Sequence, residues 1–292
     1  MSINDSDKRI SVNFHLWQPC NYQCGFCFAG FEDVKKTVLP AGHLTQDKAE
    51  TVVRRLAEYG FGKITFAGGE PTLCPWLGDL ISGAKDLGMV TMLVTNGSRL
   101  KREALDKYRP FLDWVVLSID SLLPETNLKG GRFRNKRMLP DASYYQGLVE
   151  NIHASGYKFK INTVVHHYNK DEVMADFIEQ AFPLRWKIFK VLSIENQNKG
   201  TYGNFEISDE EFSLYLKRNI TPGLEKVIVA EDNDAMIESY LMIDPAGRFF
   251  DNPTGYYRYS QSICDVGVKK ALAHINFDYQ KYVKRGGVYE WE

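Results

Sequence analysis

Short apolar runs alternate with amphipathic stretches across the first two-thirds of this chain, and that alternation restricts the fold more than any other feature. Residues 11–17, 63–66, 90–95, 114–119, 158–166 and 185–194 read as strands. Helical patterns fill the gaps at 45–60, 76–88, 101–111, 143–155 and 170–182. In the first, Ala49, Val52, Val53, Leu56 and Ala57 recur at helical spacing; in the last, Val173, Met174, Phe177, Ile178 and Ala181 do so. Strands alternating with helices predict a parallel sheet with crossover helices. Six strands predict an α/β fold, a partial (β/α)6 barrel whose active site lies at the C-terminal ends of its strands.

Beyond residue 195 the alternation stops in the sequence. Ser208-Asp-Glu-Glu reads as a capping box. Asp244-Pro-Ala-Gly reads as a turn, so a hairpin is predicted within 239–251. The chain divides on this reading into a flexible N-terminus (1–10), a barrel (11–195) and a C-terminal extension covering it (196–292). Residues 127–137, basic and glycine-containing, are predicted to form a mobile loop. The 36 basic and 37 acidic residues nearly cancel, so no global field draws in nucleic acid or an anionic membrane. No apolar run approaches the ~20 residues of a membrane span, and the polar N-terminus lacks a signal-peptide core. The expected location is therefore the cytoplasm, with neither nucleic acid nor membrane as partner.

Five cysteines break this ordinary profile, three of them in Cys20-Asn-Tyr-Gln-Cys24-Gly-Phe-Cys27, directly after the first strand. An odd count argues against a disulfide framework. A 4Fe–4S cluster normally takes four cysteines. Three local thiolates leave one iron open to a chelating small molecule. This spacing, with Phe26 before the last cysteine, resembles the signature of radical S-adenosylmethionine (SAM) enzymes. Structural zinc would need a second ligand pair, and none is near. Cys74 and Cys264 suit packing roles.

Gly68-Gly69-Glu70-Pro71 ends the second strand. In the radical SAM superfamily this segment meets the amino group of the methionine moiety. Asn96, Ser118 and Asp120 end the third and fourth strands at the same rim, so they join Phe26, Gly68, Gly69 and Glu70 as candidate SAM contacts. Strand parity adds an independent clue. Asn13 and His15 share a face, as do Lys160 and Asn162, and Arg185 and Lys187, while Lys63 opens the second strand. Parallel strands are normally near-continuous apolar runs. Pointing inward, these cations would form a basic floor able to hold a polyphosphate; pointing outward, they would only flank the strands.

Longer stretches carry a closer resemblance. They include Ser-Val-Asn-Phe-His (11–15), the cysteine run with its following Phe28, Lys-Ile-Thr-Phe-Ala-Gly-Gly-Glu-Pro (63–71), Thr-Asn-Gly-Ser (95–98), Phe-Lys-Ile-Asn (159–162) and Arg-Trp-Lys-Ile-Phe (185–189). Ser-Tyr-Leu-Met-Ile-Asp (239–244), Ser-Ile-Cys-Asp-Val-Gly-Val (262–268) and Lys-Arg-Gly-Gly-Val-Tyr-Glu-Trp (284–291) continue them. Together they resemble the viperin family, in its prokaryotic type. The resemblance implies a radical SAM lyase that dehydrates a ribonucleoside triphosphate (CTP, UTP or GTP) to its 3′-deoxy-3′,4′-didehydro analogue, a chain terminator in antiviral defence. It implies a 5′-deoxyadenosyl radical taking the ribose 4′ hydrogen, and an electron donor such as flavodoxin or ferredoxin. It places Lys63, Lys160, Arg185, Lys187 and Asn13 on the triphosphate, Asn162 and Asn233 near sugar or base, and Tyr240 as a donor of the final hydrogen equivalent. The C-terminal extension would then contribute to the nucleotide site. The chain departs from the family pattern in having Ala67 where a serine is usual, and in the loop after Cys27. Other readings are a radical SAM enzyme with a different small phosphorylated substrate, or a non-enzymatic metal-binding module.

Overall fold

A computed structural model of the chain describes residues 10–291. Most of the N-terminal segment predicted to be flexible, residues 1–9, lies outside the described residues. Ten strands form one sheet: β1 (Ser11–Trp17), β2 (Lys63–Gly68), β3 (Val90–Thr95), β4 (Trp114–Ser118), β5 (Lys158–Val165), β6 (Arg185–Lys190), β7 (Ile228–Glu231), β8 (Met242–Ile243), β9 (Arg248–Asp251) and β10 (Arg258–Ser262). Their order is β10-β9-β8-β1-β2-β3-β4-β5-β6-β7. From β8 to β7 every neighbour is parallel, while β9 and β10 run antiparallel. The sheet is open, with β7 and β10 at its edges, as a partial barrel requires. Among the described residues no helix is long and apolar enough to cross a membrane.

The two faces of this sheet differ because their residues alternate. Val12, Phe14, Ile64, Phe66, Leu93, Val115, Phe159, Ile161, Trp186 and Ile188 face the helices and are fully buried. Ala49, Val52, Val53 and Leu56 of helix Gln46–Tyr59 join them, as do Leu77, Leu80 and Ile81 of helix Leu77–Asp86. Burying such side chains stabilises by roughly 1.5–3 kcal/mol each. The other face presents Ser11, Asn13 and His15, Lys63 and Thr65, Lys160 and Asn162, and Arg185 and Lys187 to a shared cavity. On β1, β2, β5 and β6 the period-2 pattern thus carries polar groups inward and apolar groups outward, while β3 turns Met92 and Val94 to the cavity.

Four sequence expectations change. The alternation does not stop at 195: the capping-box helix Asp209–Asn219 crosses over to β7, which pairs with β6. That strand carries little sequence signal, since it has four residues and an edge position, with only Glu231 buried. The hairpin of β8 and β9 exists, but β8 also pairs with β1, so the last third extends both flanks of the sheet. The helix expected over 170–182 forms only at Ala175–Ala181. Asn219 holds the preceding turn, accepting from Met174 N (2.6 Å) and donating to Glu172 O, and Val173 stays exposed. Finally, 127–137 is not an unanchored loop. It begins in helix Pro124–Gly130, Asn127 is buried on the carbonyls of Ser121 and Pro140, and Arg132 is buried on Asp120.

Candidate active site

One cavity of about 310 Å³ runs along the inner face of the sheet, within the size range of small-molecule sites. Cys20, Cys24 and Cys27 line one end, at the C-terminal ends of the strands. Lys63, Lys160, Arg185 and Lys187 line the other.

Close backbone packing holds the cysteine loop. Gly69 N donates to Trp17 O at 2.5 Å and Glu70 N to Pro19 O at 3.0 Å. A Cβ on Gly69 would lie 2.2 Å from the Gln18 carbonyl oxygen, so only glycine lets the exit of β2 pack against the exit of β1. On the far side Gln23 N donates to Gly131 O and Gly25 N to Gly130 O. Gly131 sits at φ +73°, and a Cβ there would meet Gln23 O at 2.1 Å. Asn21 bridges to the β3 rim, donating to Ser98 Oγ (2.8 Å) and accepting from Asn96 Nδ2 (3.0 Å). The Phe26 ring packs on His166 and Phe205.

The buried carboxylate of Glu70 is fully engaged. It accepts from Thr72 N and Oγ1, from Thr95 Oγ1 (2.7 Å) and from Asn96 N (2.8 Å). Its side chain therefore fixes the Asn96 turn, leaving the backbone of Gly68 and Gly69 to face the cavity. Asp120 is likewise engaged: it pairs with Arg132 at 2.9 Å and accepts from Val164 N. Arg132 also donates to Ser118 O and lies 3.8 Å from Cys24 Sγ. Burial pushes the Cys20 thiol up to about 11 and the Cys24 thiol up to about 12, while the Arg132 guanidinium opposes that rise.

This donor set fits a 4Fe–4S cluster. The three thiols are free and share one cavity wall. Among the described residues no three His, Cys, Asp or Glu side chains converge closely enough for a single metal ion. A cubane needs no such convergence, because each thiolate binds a different iron. The candidate SAM contacts Phe26, Gly68, Gly69, Glu70, Asn96, Ser118 and Asp120 all line the adjoining wall, which presents apolar surface, backbone and polar groups.

At the basic end, Lys160 faces Arg185 and Asn162 faces Lys187 in the β5–β6 register, so the cations form adjacent rows. Lys63 is buried and among the described residues pairs with no carboxylate; it donates to Tyr289 OH (2.9 Å) and lies 4.4 Å from the ring centres of Tyr289 and Trp291. Arg185 donates to Gly286 O and stacks on Tyr289. Lys187 pairs with Glu231 and donates to Tyr240 OH (2.6 Å), which in turn donates to Glu231. Arg285 covers the Tyr240 ring at 3.5 Å and is anchored on Ser239 O. Burial lowers Lys187 to about 7, with Glu231 pulling it back up. Burial and mutual repulsion hold Lys63 and Lys160 well below the usual lysine value. Burial disfavours ionised Glu231, but Lys187 and Arg285 outweigh it and hold its pKa below normal.

Asn13, Asn162 and Tyr240 line the cavity, but Asn233 does not. It opens the one-turn helix Asn233–Met236, and Met236 at the other end of that turn reaches the wall. Sequence reasoning missed Glu231, Arg285 and Arg132. Arg285 lay in the Lys-Arg-Gly-Gly segment without an assigned role. Arg132 lay in the segment expected to be mobile. Glu231 had no sequence signal beyond a lone acid ending a short apolar run.

Comparisons with known proteins agree with this geometry. The family model of the radical SAM superfamily matches residues 17–181. A protein of Flammeovirga pacifica, named S-adenosylmethionine-dependent nucleotide dehydratase, is 49% identical over 282 residues, covering 97% of this chain and 96% of its own. One of Danio rerio with the same activity in its name is 36% identical over 300 residues, covering 96% and 78%. Among solved structures, anSMEcpe with bound AdoMet superposes with a TM-score of 0.69 at 16% identity, over 94% of this chain and 82% of that one. Streptococcus suis SuiB bound to its precursor peptide gives 0.63 at 18%, over 94% and 66%. At such identities these two establish the fold alone.

Proposed function

The chain belongs to the radical SAM superfamily and, within it, to the viperin-type S-adenosylmethionine-dependent nucleotide dehydratases, and from that membership we propose that it dehydrates a ribonucleoside triphosphate. The substrate is CTP, UTP or GTP, and the product is the 3′-deoxy-3′,4′-didehydro analogue, a polymerase chain terminator in antiviral defence. The enzyme uses a 4Fe–4S cluster and SAM. One observation carries the triphosphate assignment: three buried lysines and the half-buried Arg185 face the same cavity as the three thiols, from its opposite end.

Cys20, Cys24 and Cys27 hold the cluster, and the wall from Phe26 to Asp120 holds SAM. Bound there, the two supply one-electron reduction and abstraction of the ribose 4′ hydrogen. Lys63, Lys160, Arg185 and Lys187 grip the triphosphate, with Asn13 beside them; Arg offers a fork and Lys a point charge. Holding the phosphates at that end directs the ribose toward the thiols, past Asn162 and Tyr240. Tyr240 OH, kept protonated by burial and bonded between Lys187 and Glu231, holds a proton at the sugar. Tyr289 and Trp291 exclude water below Lys63. On this reading 11–195 is the catalytic barrel, and 196–292 brings Glu231, Tyr240 and Arg285 to the nucleotide. A cytoplasmic flavodoxin or ferredoxin supplies the electrons.

The test is incubation of reconstituted enzyme with dithionite, SAM and each of the four common ribonucleoside triphosphates. The expected result is 5′-deoxyadenosine together with a nucleotide lighter by one water. Intact nucleotide in all four reactions would overturn the proposal.

A further inference from the structure

The basic segment after β4 sends only Arg132 to the cavity, yet it lies directly against the cluster loop. Gly130 and Gly131 accept from Gly25 N and Gln23 N, and Arg132 reaches Cys24 Sγ at 3.8 Å. The chain then turns out to solvent. Lys129, Arg134, Lys136 and Arg137 are all exposed, and among the described residues none of the four forms an ion pair. Glu125 is the only acid in 125–140. Asp141, next along, is occupied in capping helix Ala142–Ala154. Across the cysteine loop, exposed Arg99 adjoins Ser98, which Asn21 binds. Leu123, Leu128 and Met138 add exposed apolar surface, Met138 at 77%. In a chain of net charge −1 this is a local run of exposed cations without ion pairs, interspersed with exposed apolar side chains.

We propose that this face docks an acidic one-electron carrier protein of the flavodoxin or ferredoxin kind. The inference rests on the reading that a protein carrier reduces the cluster. Per event the carrier is oxidised by one electron and the cluster reduced by one, and no atom is transferred. Arg134 is two residues from Arg132, at most about 7 Å of chain, so a carrier seated here lies within short reach of Cys24. Charge complementarity selects an acidic partner and steers its encounter. Adjacency to the cluster loop favours a redox partner over nucleic acid or an anionic membrane, neither of which has business with the thiols.

The test combines Arg134→Glu, Lys136→Glu and Arg137→Glu in the reconstituted enzyme. Titration calorimetry with an oxidised acidic flavodoxin, without turnover, should show affinity at low salt weakened at least about tenfold. 5′-Deoxyadenosine formation should fall with the flavodoxin system and stay unchanged with dithionite. Unchanged flavodoxin affinity, or equal losses with both reductants, would overturn the proposal. Wild-type binding to anionic vesicles or RNA, with none to flavodoxin or ferredoxin, would overturn it equally. Failure of wild type to turn over nucleotide with dithionite would instead count against the proposed function, which the binding measurement does not depend on.

Discussion

Nucleotide binding should draw protons into the cavity, and the buried lysines fix the sign. Burial lowers Lys187 to about 7, and Lys63 and Lys160 also lie well below the ordinary 10.5. Contact with a triphosphate favours the charged amine, so each pKa rises on binding. The bound state therefore carries the raised pKa. Its affinity advantage is full below the pKa of the unliganded enzyme and is lost as pH climbs from that value toward the bound one. For Lys187 alone, moving from about pH 7 to about pH 9 crosses two units at about 1.4 kcal/mol each, or roughly a hundredfold in affinity. Lys63 and Lys160 steepen the fall. The assay is titration calorimetry of unreduced enzyme with CTP in two buffers of different ionisation enthalpy, which reads proton uptake directly. Lys187→Arg keeps the charge at any working pH and should reduce uptake by about half a proton near pH 7, approaching one proton by about pH 8, while flattening the pH dependence. Identical heats in both buffers, or a dissociation constant unchanged across this range, would refute the reasoning.

Three further outcomes are expected. Lys160→Met removes a buried amine that forms no ion pair among the described residues; it should raise the melting temperature yet weaken triphosphate binding about tenfold or more, with SAM affinity unchanged. Glu231→Gln leaves Lys187 and Arg285 without their carboxylate and should destabilise the protein by about 3–5 kcal/mol, and added triphosphate should recover much of the loss in a thermal melt. Gly69→Ala drives a methyl into the Gln18 carbonyl, so reconstituted protein should show depleted iron content and no SAM binding while retaining its far-ultraviolet circular dichroism.

The barrel was legible because its signals are local. Strand parity pairs Lys160 with Asn162 and Arg185 with Lys187, and the structure turns both pairs into one cavity. The three cysteines and the Gly-Gly step were legible for the same reason, since each lies within a few residues of its strand end. What stayed hidden depends on distant partners. Arg132 looked like one more charge in a basic run until Asp120 and Ser118 buried it. Glu231 acquires meaning only from Lys187 and Arg285, 44 and 54 residues away. Asn233 is the reverse case: the resemblance places it near the substrate, whereas Met236, at the other end of its single turn of helix, is the residue that lines the cavity.

The pairing of β8 with β1 has a consequence for how the molecule is made. Phe14 and Ile243 are register partners about 230 residues apart. During synthesis β1 can pair with β2 early, but its other edge has no neighbour until the final fifth of the chain emerges. At ribosomal rates of about 5–20 residues per second that interval is on the order of tens of seconds. Throughout it the nascent chain presents an unsaturated strand edge and a row of ionisable groups open to water. The lysine side chains are covered by residues made at that same late stage, Lys187 by Tyr240 and Lys63 by Tyr289 and Trp291, so they leave water only after the hydrophobic framework beneath them has been synthesised.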